Sequence, residues 1–367
     1  MMRLALLPDF AEENWPSMDL CAESLQRQLP ASERLTPRFR RVCSRMPILG
    51  GRKAAFNGDR LLNRFIFYPR YAKRRRDRFD FFHIVDHTYA QLVHVLPAER
   101  AGVFCHDLDA FRCLLEPARD RRPKWFRMLS RRILSGLQKA AIVFHSTAAM
   151  RDEIVRHGLI DPGRLVLAPY GVSPEFSLVG PSETDLGRYL LHVGSNAPRK
   201  RIDTLLRVLA GLRQQIPNLR LLKVGPPFTA GQQTMIGEYK LADAIVRREG
   251  LARTEIAALY RGAAALLLPS EAEGFGLPLI EALACGAPVV AGDLPALREV
   301  GGTAAEYAPV GDVEAWIAAV KRAMDQPRDL AAQSARSRQA EQFDWHSHAR
   351  VIHDAYLRLS NRRGLPA

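Results

Sequence analysis

Residues 273–290, EGFGLPLIEALACGAPVV, set two carboxylates in unlike surroundings. Glu273 stands before Gly274, Phe275 and Gly276, whereas Glu281 lies among Leu279, Ile280, Leu283 and Ala284. The glycines let backbone approach a ligand closely, and N–H groups at the start of a helix opened by Pro278 suit an anion. Glu273 leaves an apolar strand, AALLLP (264–269), and would overhang the strand end, where sheets of this kind bind ligands. An acid among apolar neighbours is costly unless partnered, and a ribose diol offers one carboxylate two hydroxyls. The alternative is that Glu281 only counters the helix dipole. Gly286 reads as the helix stop and Cys285 as a small core residue.

Other polar residues also follow apolar runs. His87 in HIVDHTYA could reach a second substrate or be a satisfied structural histidine. Trp15 could stack on a ligand or simply pack before a helix. Asp107 and Asp109 are candidate bases, with Asp107 better suited to orient His106 or cap a turn. His145, with Ser146 and Thr147 as helix caps, reads as structural.

The elements that must position these residues alternate along the whole chain. RLALLP (3–8), FFHIVDH (81–87), GVFCHD (102–107), AIVFHS (141–146) and LVLAPYG (165–171) read as buried strands. A second series follows: YLLHVG (189–194), LRLLKVG (219–225), DAIVR (243–247), AALLLP and APVVAG (287–292). Helical patterns fall between them, including 124–140, 202–215, 254–263 and a last one over 344–362. Strands alternating with helices predict an α/β, doubly wound architecture, here twice over. The expected division is 1–175, 176–345 and a C-terminal helix 346–367 that packs back on the N-terminal domain, with the joint in the glycine- and proline-rich 171–187.

The chain of 367 residues carries a net charge of +14, unevenly spread. Residues 1–180 hold 30 Lys/Arg against 19 Asp/Glu, and residues 38–78 alone hold 14 basic residues against two acids. Such a surface attracts anionic membrane, phosphorylated substrates or nucleic acid, or is a solvated face. No nucleic-acid module or interleaved aromatics accompany it, so no nucleic-acid partner is expected. The five cysteines are scattered without metal-type spacing, as in a reducing compartment. The N-terminal apolar run is too short for a signal peptide and no run would span a membrane. A cytoplasmic protein is expected, peripheral at most.

The 273–290 string strongly resembles the signature of retaining glycosyltransferases of family four, whose GT-B fold has two facing Rossmann-like domains with a cleft between them. The resemblance continues through LLHVGSNAPRKRIDTLL (190–206), LLKVGPP (221–227), 255–278 and APYGVSPEF (168–176), and thins to VFCHDLDAFR (103–112) in the N-terminal half. It implies a nucleotide-sugar donor, GDP-mannose or a UDP-sugar, with a slight lean to mannose, and no metal or other cofactor. Glu273 would contact the transferred sugar, Glu281 the ribose, and the backbone of Phe275, Gly276 and Leu277 the diphosphate. Lys200 matches the diphosphate-binding lysine, with Arg199 and Gly194 beside it, and His106 the histidine facing the sugar. Ser195 stands where many relatives carry Arg, with Arg199 as its substitute, and PDFAEENWPSMDL (8–20) stands in place of a glycine-rich loop. The expected activity is hexose transfer to a glycan or lipid-linked acceptor in polysaccharide or glycolipid synthesis, with His87 and Trp15 as acceptor candidates. The rival reading is an inactive nucleotide-sugar-binding scaffold of a glycan assembly complex.

Overall fold

The computed structural model describes residues 2–29, 31–45 and 51–363. The chain divides into two compact units, Met1–Pro169 with Trp345–Ala367, and Tyr170–Asp344. In the first, β1 (Leu4–Leu7), β2 (Ser32–Arg34), β3 (Phe81–Ile84), β4 (Ala101–Cys105), β5 (Ile142–His145) and β6 (Leu165–Leu167) form a parallel sheet ordered β2-β1-β3-β4-β5-β6. In the second, β7 (Tyr189–Val193), β8 (Arg220–Val224), β9 (Ile245–Arg248), β10 (Ala265–Leu268), β11 (Val289–Gly292) and β12 (Glu306–Ala308) form another, ordered β12-β11-β10-β7-β8-β9. The class is the α/β doubly wound one that the alternation predicts.

The central strands are mostly apolar because helices cover both faces of a parallel sheet, with His83, His145, His192 and Lys223 as buried exceptions. Every residue of β1, β3, β4, β5, β10 and β11 is buried. The edge strands β2 and β12 have the sequences SER and EYA and are partly exposed. Short polar edges resist pairing with other chains, and they carry no apolar run for a sequence pattern to reveal.

Two close approaches fix the helices of the first unit. Helix Lys124–Lys139 buries Ser130, Ile133, Gly136 and Leu137, and a Cβ on Gly136 would lie 2.0 Å from the Ala90 carbonyl oxygen. In the last helix, Trp345–Arg363, the buried Tyr356 hydroxyl donates to the Phe82 carbonyl at 3.1 Å and lies 3.1 Å from His83 Nδ1. Gly102 on β4 leaves room for that hydroxyl, since a Cβ there would sit 2.2 Å from it. A helix from the far end of the chain thus completes the first sheet.

Strand order reverses between β1 and β3 in the first sheet and between β7 and β10 in the second. The loops leaving those strands line the crevice where such sheets bind ligands. Among the described residues no helix is long and apolar enough to cross a membrane.

Candidate functional site

In the second unit the loops after β7 and β10 are tied together at the switch point. The turn Pro198–Lys200 follows β7, and the Glu271 amide donates to the Arg199 carbonyl at 2.8 Å. Arg199 Nη1 donates to the Ala272 carbonyl at 3.1 Å and lies 3.5 Å from Glu273 Oε2. Lys200 Nζ donates to Glu273 Oε1, which also accepts from Ser270 Oγ at 2.8 Å. Burial alone would raise the Glu273 carboxyl, but the Lys200 and Arg199 charges and the Lys200 and Ser270 hydrogen bonds bring it below its usual range. Arg201 follows with φ 48° and is held by two hydrogen bonds to Asp203, each 3.0 Å. A left-handed arginine is uncommon, and here it turns the loop into helix Ile202–Arg213.

Gly276 stands at the entry to helix Leu277–Ala284 with φ 94°, and its Cβ would meet Leu297 Cδ2 at 2.6 Å. Phe275 is buried edge-on against Tyr170 and Phe343, so backbone and not side chain is what this stretch offers a ligand. Glu281 lies in the second turn of that helix, outside the reach of the N-terminal dipole. Its Oε2 accepts from the Tyr260 hydroxyl at 3.0 Å, and burial, partly offset by that bond, pushes its carboxyl up to about 7. Near Gly194, His192 Nδ1 donates to the Leu267 carbonyl at 2.9 Å, and burial lowers the imidazole to about 4, leaving it neutral. A Cβ on Gly194 would lie 3.2 Å from His192 Nε2.

Three partners escape a reading of the sequence. Ser270, three positions before Glu273, looks like an ordinary strand-exit residue and Tyr260 like an ordinary helix residue, and only the fold brings Tyr260 to Glu281. Lys223, in the middle of LRLLKVG, carries a visible signal: a lysine inside an apolar run. It is fully buried, donates to the Pro226 carbonyl at 2.8 Å and faces the Phe228 ring at 5.3 Å; burial lowers it to about 8.

The first unit gathers polar groups at its own switch point. His106, just past β4, stacks on Phe104 at 4.9 Å, and its Nε2 lies 2.7 Å from the Val85 carbonyl. A carbonyl only accepts, so the proton is on Nε2. Burial lowers this imidazole against the raising effect of Asp86. His87 is buried, with Nδ1 3.2 Å from Asp86 Oδ1 and Nε2 3.7 Å from Asp107 Oδ1. Asp107 Oδ1 accepts the Asp109 amide at 2.9 Å, capping a turn. Trp15 is 50% exposed and precedes helix Pro16–Gln28.

The loop after β1 is acidic rather than glycine-rich. Glu13 accepts from the Tyr89 hydroxyl at 2.8 Å and from Arg60 at 3.0 Å, with Arg64 at 3.6 Å. Asp9 is buried beside Asp86, and burial followed by that neighbouring charge raises its carboxyl well above the usual range. Among the described residues no group of three or more His, Cys, Asp and Glu is arranged to hold a metal ion.

The family model "Glycosyl transferases group 1" matches residues 182–341, the stretch that carries the Lys200–Glu273 and Tyr260–Glu281 pairs. That match spans somewhat under half of the chain. The chain is 32% identical over 208 residues to the MMP alpha-(1->4)-mannosyltransferase of Mycolicibacterium hassiacum, an alignment covering 55% of this chain and 50% of that one. It is 27% identical over 276 residues to the O-antigen chain mannosyltransferase B of Escherichia coli, covering 71% of each. The chain spans about half the length of several curated relatives that it matches. Its fold is that of the Anabaena HepE structure in complex with UDP and glucose: TM-score 0.72, 15% identity, 96% of this chain and 99% of that one. Two Rossmann-like units in one chain are thus of the GT-B type.

Proposed function

We propose that the chain is a retaining, metal-independent glycosyltransferase that moves a hexose from a nucleotide-diphosphate sugar to a glycan or lipid-linked acceptor. The observation that carries the reading is the Lys200–Glu273–Arg199 cluster at the β7/β10 switch point, with Glu281 and Tyr260 behind it. Mannosyltransferase relatives and a UDP-bound neighbour of the same fold support it.

In this reading the donor diphosphate lies along the backbone of Gly274, Gly276 and Leu277, and the ribose hydroxyls donate to Glu281. Departure of the nucleoside diphosphate places negative charge beside Lys200 and Arg199, which are already oriented to receive it. Glu273 faces the sugar as positive charge develops at the anomeric carbon. The acceptor oxygen bonds to that carbon on the face the diphosphate leaves, and its proton passes to the departing phosphate oxygen. His106 approaches the donor sugar, while His87 and Trp15 serve the acceptor. The protein works in the cytoplasm or at the inner face of a membrane, in polysaccharide or glycolipid synthesis.

The test is a thermal-shift panel of UDP, GDP, ADP and their hexose derivatives. A ligand at about 100 times its dissociation constant stabilises the fold by roughly 2.7 kcal/mol, and one base should stand out. If no nucleotide moves the melting point, the donor reading fails. Shifts without turnover for any acceptor would favour the scaffold.

A further inference from the structure

The basic stretch of the first unit is concave. A cavity of about 410 Å³ is lined by Arg38, Arg40, Arg70, Arg74 and Arg75, with Phe67 and Tyr71 between them. Arg40 lies over the Phe67 ring at 4.6 Å and Arg75 over the Tyr71 ring at 3.7 Å. Among the described residues no carboxylate pairs with any of these five guanidinium groups, whereas Arg60 and Arg64 nearby pair with Glu13 and Arg76 with Asp77.

The scaffold beneath is built from buried polar groups. Asp59, fully buried, accepts the backbone amides of Val42 and Cys43 at 2.7 and 2.6 Å and that of Ser44 at 3.1 Å. Asn63, also fully buried, accepts the Arg40 amide at 2.8 Å and donates to the Arg40 carbonyl at 2.7 Å. The loop bearing Arg38 and Arg40 is thereby fixed to helix Gly51–Leu62 and the π-helical turn Asn63–Phe67 that follows it. Helix Tyr68–Lys73 continues from that turn and brings Arg70 to the same cavity. π-Helical turns are rare and recur at functional sites.

Five like charges held together repel one another, and a merely solvated face would spread them. Planar guanidinium groups in a fixed array match phosphate oxygens in pairs, and their aromatic partners keep two of them oriented while free of acids. We propose that this cavity is a binding site for a phosphate-bearing anion, borne either by a lipid headgroup or by a soluble phosphorylated molecule. The site lies wholly within the first unit and does not depend on the donor reading of the second.

Two probes and two variants test it. Pyrophosphate titrated by calorimetry reads the soluble source. Cosedimentation with phosphatidylglycerol-containing vesicles, against neutral phosphatidylcholine vesicles, reads the headgroup. The cavity variant is Arg38→Ala/Arg70→Ala/Arg74→Ala, and the control, Arg121→Ala/Arg131→Ala/Arg132→Ala, removes the same charge from exposed positions. The wild type should bind at least one probe near 0.1 M salt, and the cavity variant should bind it about tenfold or more weakly. The control should stay within about twofold, with both melting points kept. Binding of vesicles that pyrophosphate displaces supports the headgroup, and binding of pyrophosphate alone supports a soluble ligand. Equal loss in the two variants, or no binding to either probe, overturns the proposal. The nucleotide thermal shift, measured in parallel, reports the donor site separately.

Discussion

Lys200 and Glu273 neutralise each other, so in the proposed donor complex a diphosphate would draw Lys200 from a partner it already has. That arrangement keeps the ammonium fixed and desolvated before the anion arrives, which is how a preorganised cation lowers a barrier. Lys200→Ala should cut turnover about 10²–10³-fold with a smaller effect on donor affinity; near-normal turnover would remove Lys200 from this role. Glu281 gives a second, pH-resolved test. Its folded-state carboxyl is raised by burial to about 7 from an ordinary 4.5, so the folded protein holds a proton that the unfolded chain has lost. Stability from this group therefore falls as pH rises between about 4.5 and 7. Glu281→Gln should match the wild type near pH 5 and melt higher than it near pH 8, in the absence of nucleotide. Parallel melting curves at both pH values would show that the carboxylate is not strained. The same variant should lose nucleotide affinity, since an amide offers the ribose diol one acceptor in place of two.

At the scale of elements, the loops after β7 and β10 carry the site because each has one backbone position that side chains resist. Gly276 combines a φ of 94° with a wall at Leu297. Gly276→Ala should cost about 1–2 kcal/mol from the backbone alone, lowering the melting point of its unit by roughly 2–8 °C. Gly231→Ala, where nothing lies within 4 Å of the added carbon and the glycine already sits in a helix, is the control and should be neutral or stabilising. What the sequence makes legible follows from this local character. Glu273, Gly276 and Glu281 fall in one continuous string after an apolar strand, whereas Lys200 is legible through the resemblance carried by 190–206, and only the sheet order sets the two loops side by side. Tyr260 bonds to Glu281 from 21 residues away, a contact that no short window contains, and Ser270, though only three residues before Glu273, carries no pattern that marks it as a partner. The acidic loop after β1 is read as a missing glycine loop, yet Glu13 meets Arg60 and Arg64 only because the sheet order brings their segments together. β2 and β12 are invisible for a different reason: their three residues, SER and EYA, carry no apolar run.

For the molecule as a whole, each sheet has its own buried core, one around Leu7, Phe82 and Val103, the other around Leu190, Leu205 and Trp316. Calorimetry should therefore resolve more than one cooperative step, and a donor nucleotide should move chiefly the step of Tyr170–Asp344. A chain ending at Asp344 should keep that nucleotide-responsive step and lose the other, because Tyr356 no longer fills the space above Gly102. A single step that shifts as one would contradict this division of the chain.

The discontinuity of the first unit also has a consequence in time. A ribosome releases its strands first and the helix that covers them last. Between the two lie the 175 residues of Tyr170–Asp344, about 9–35 s of synthesis at roughly 5–20 residues per second. During that interval the second unit can complete its own core while Phe81, Phe82 and Gly102 wait without Tyr356. The part made first is thus the part finished last, and its exposed sheet is where a holding chaperone would be needed.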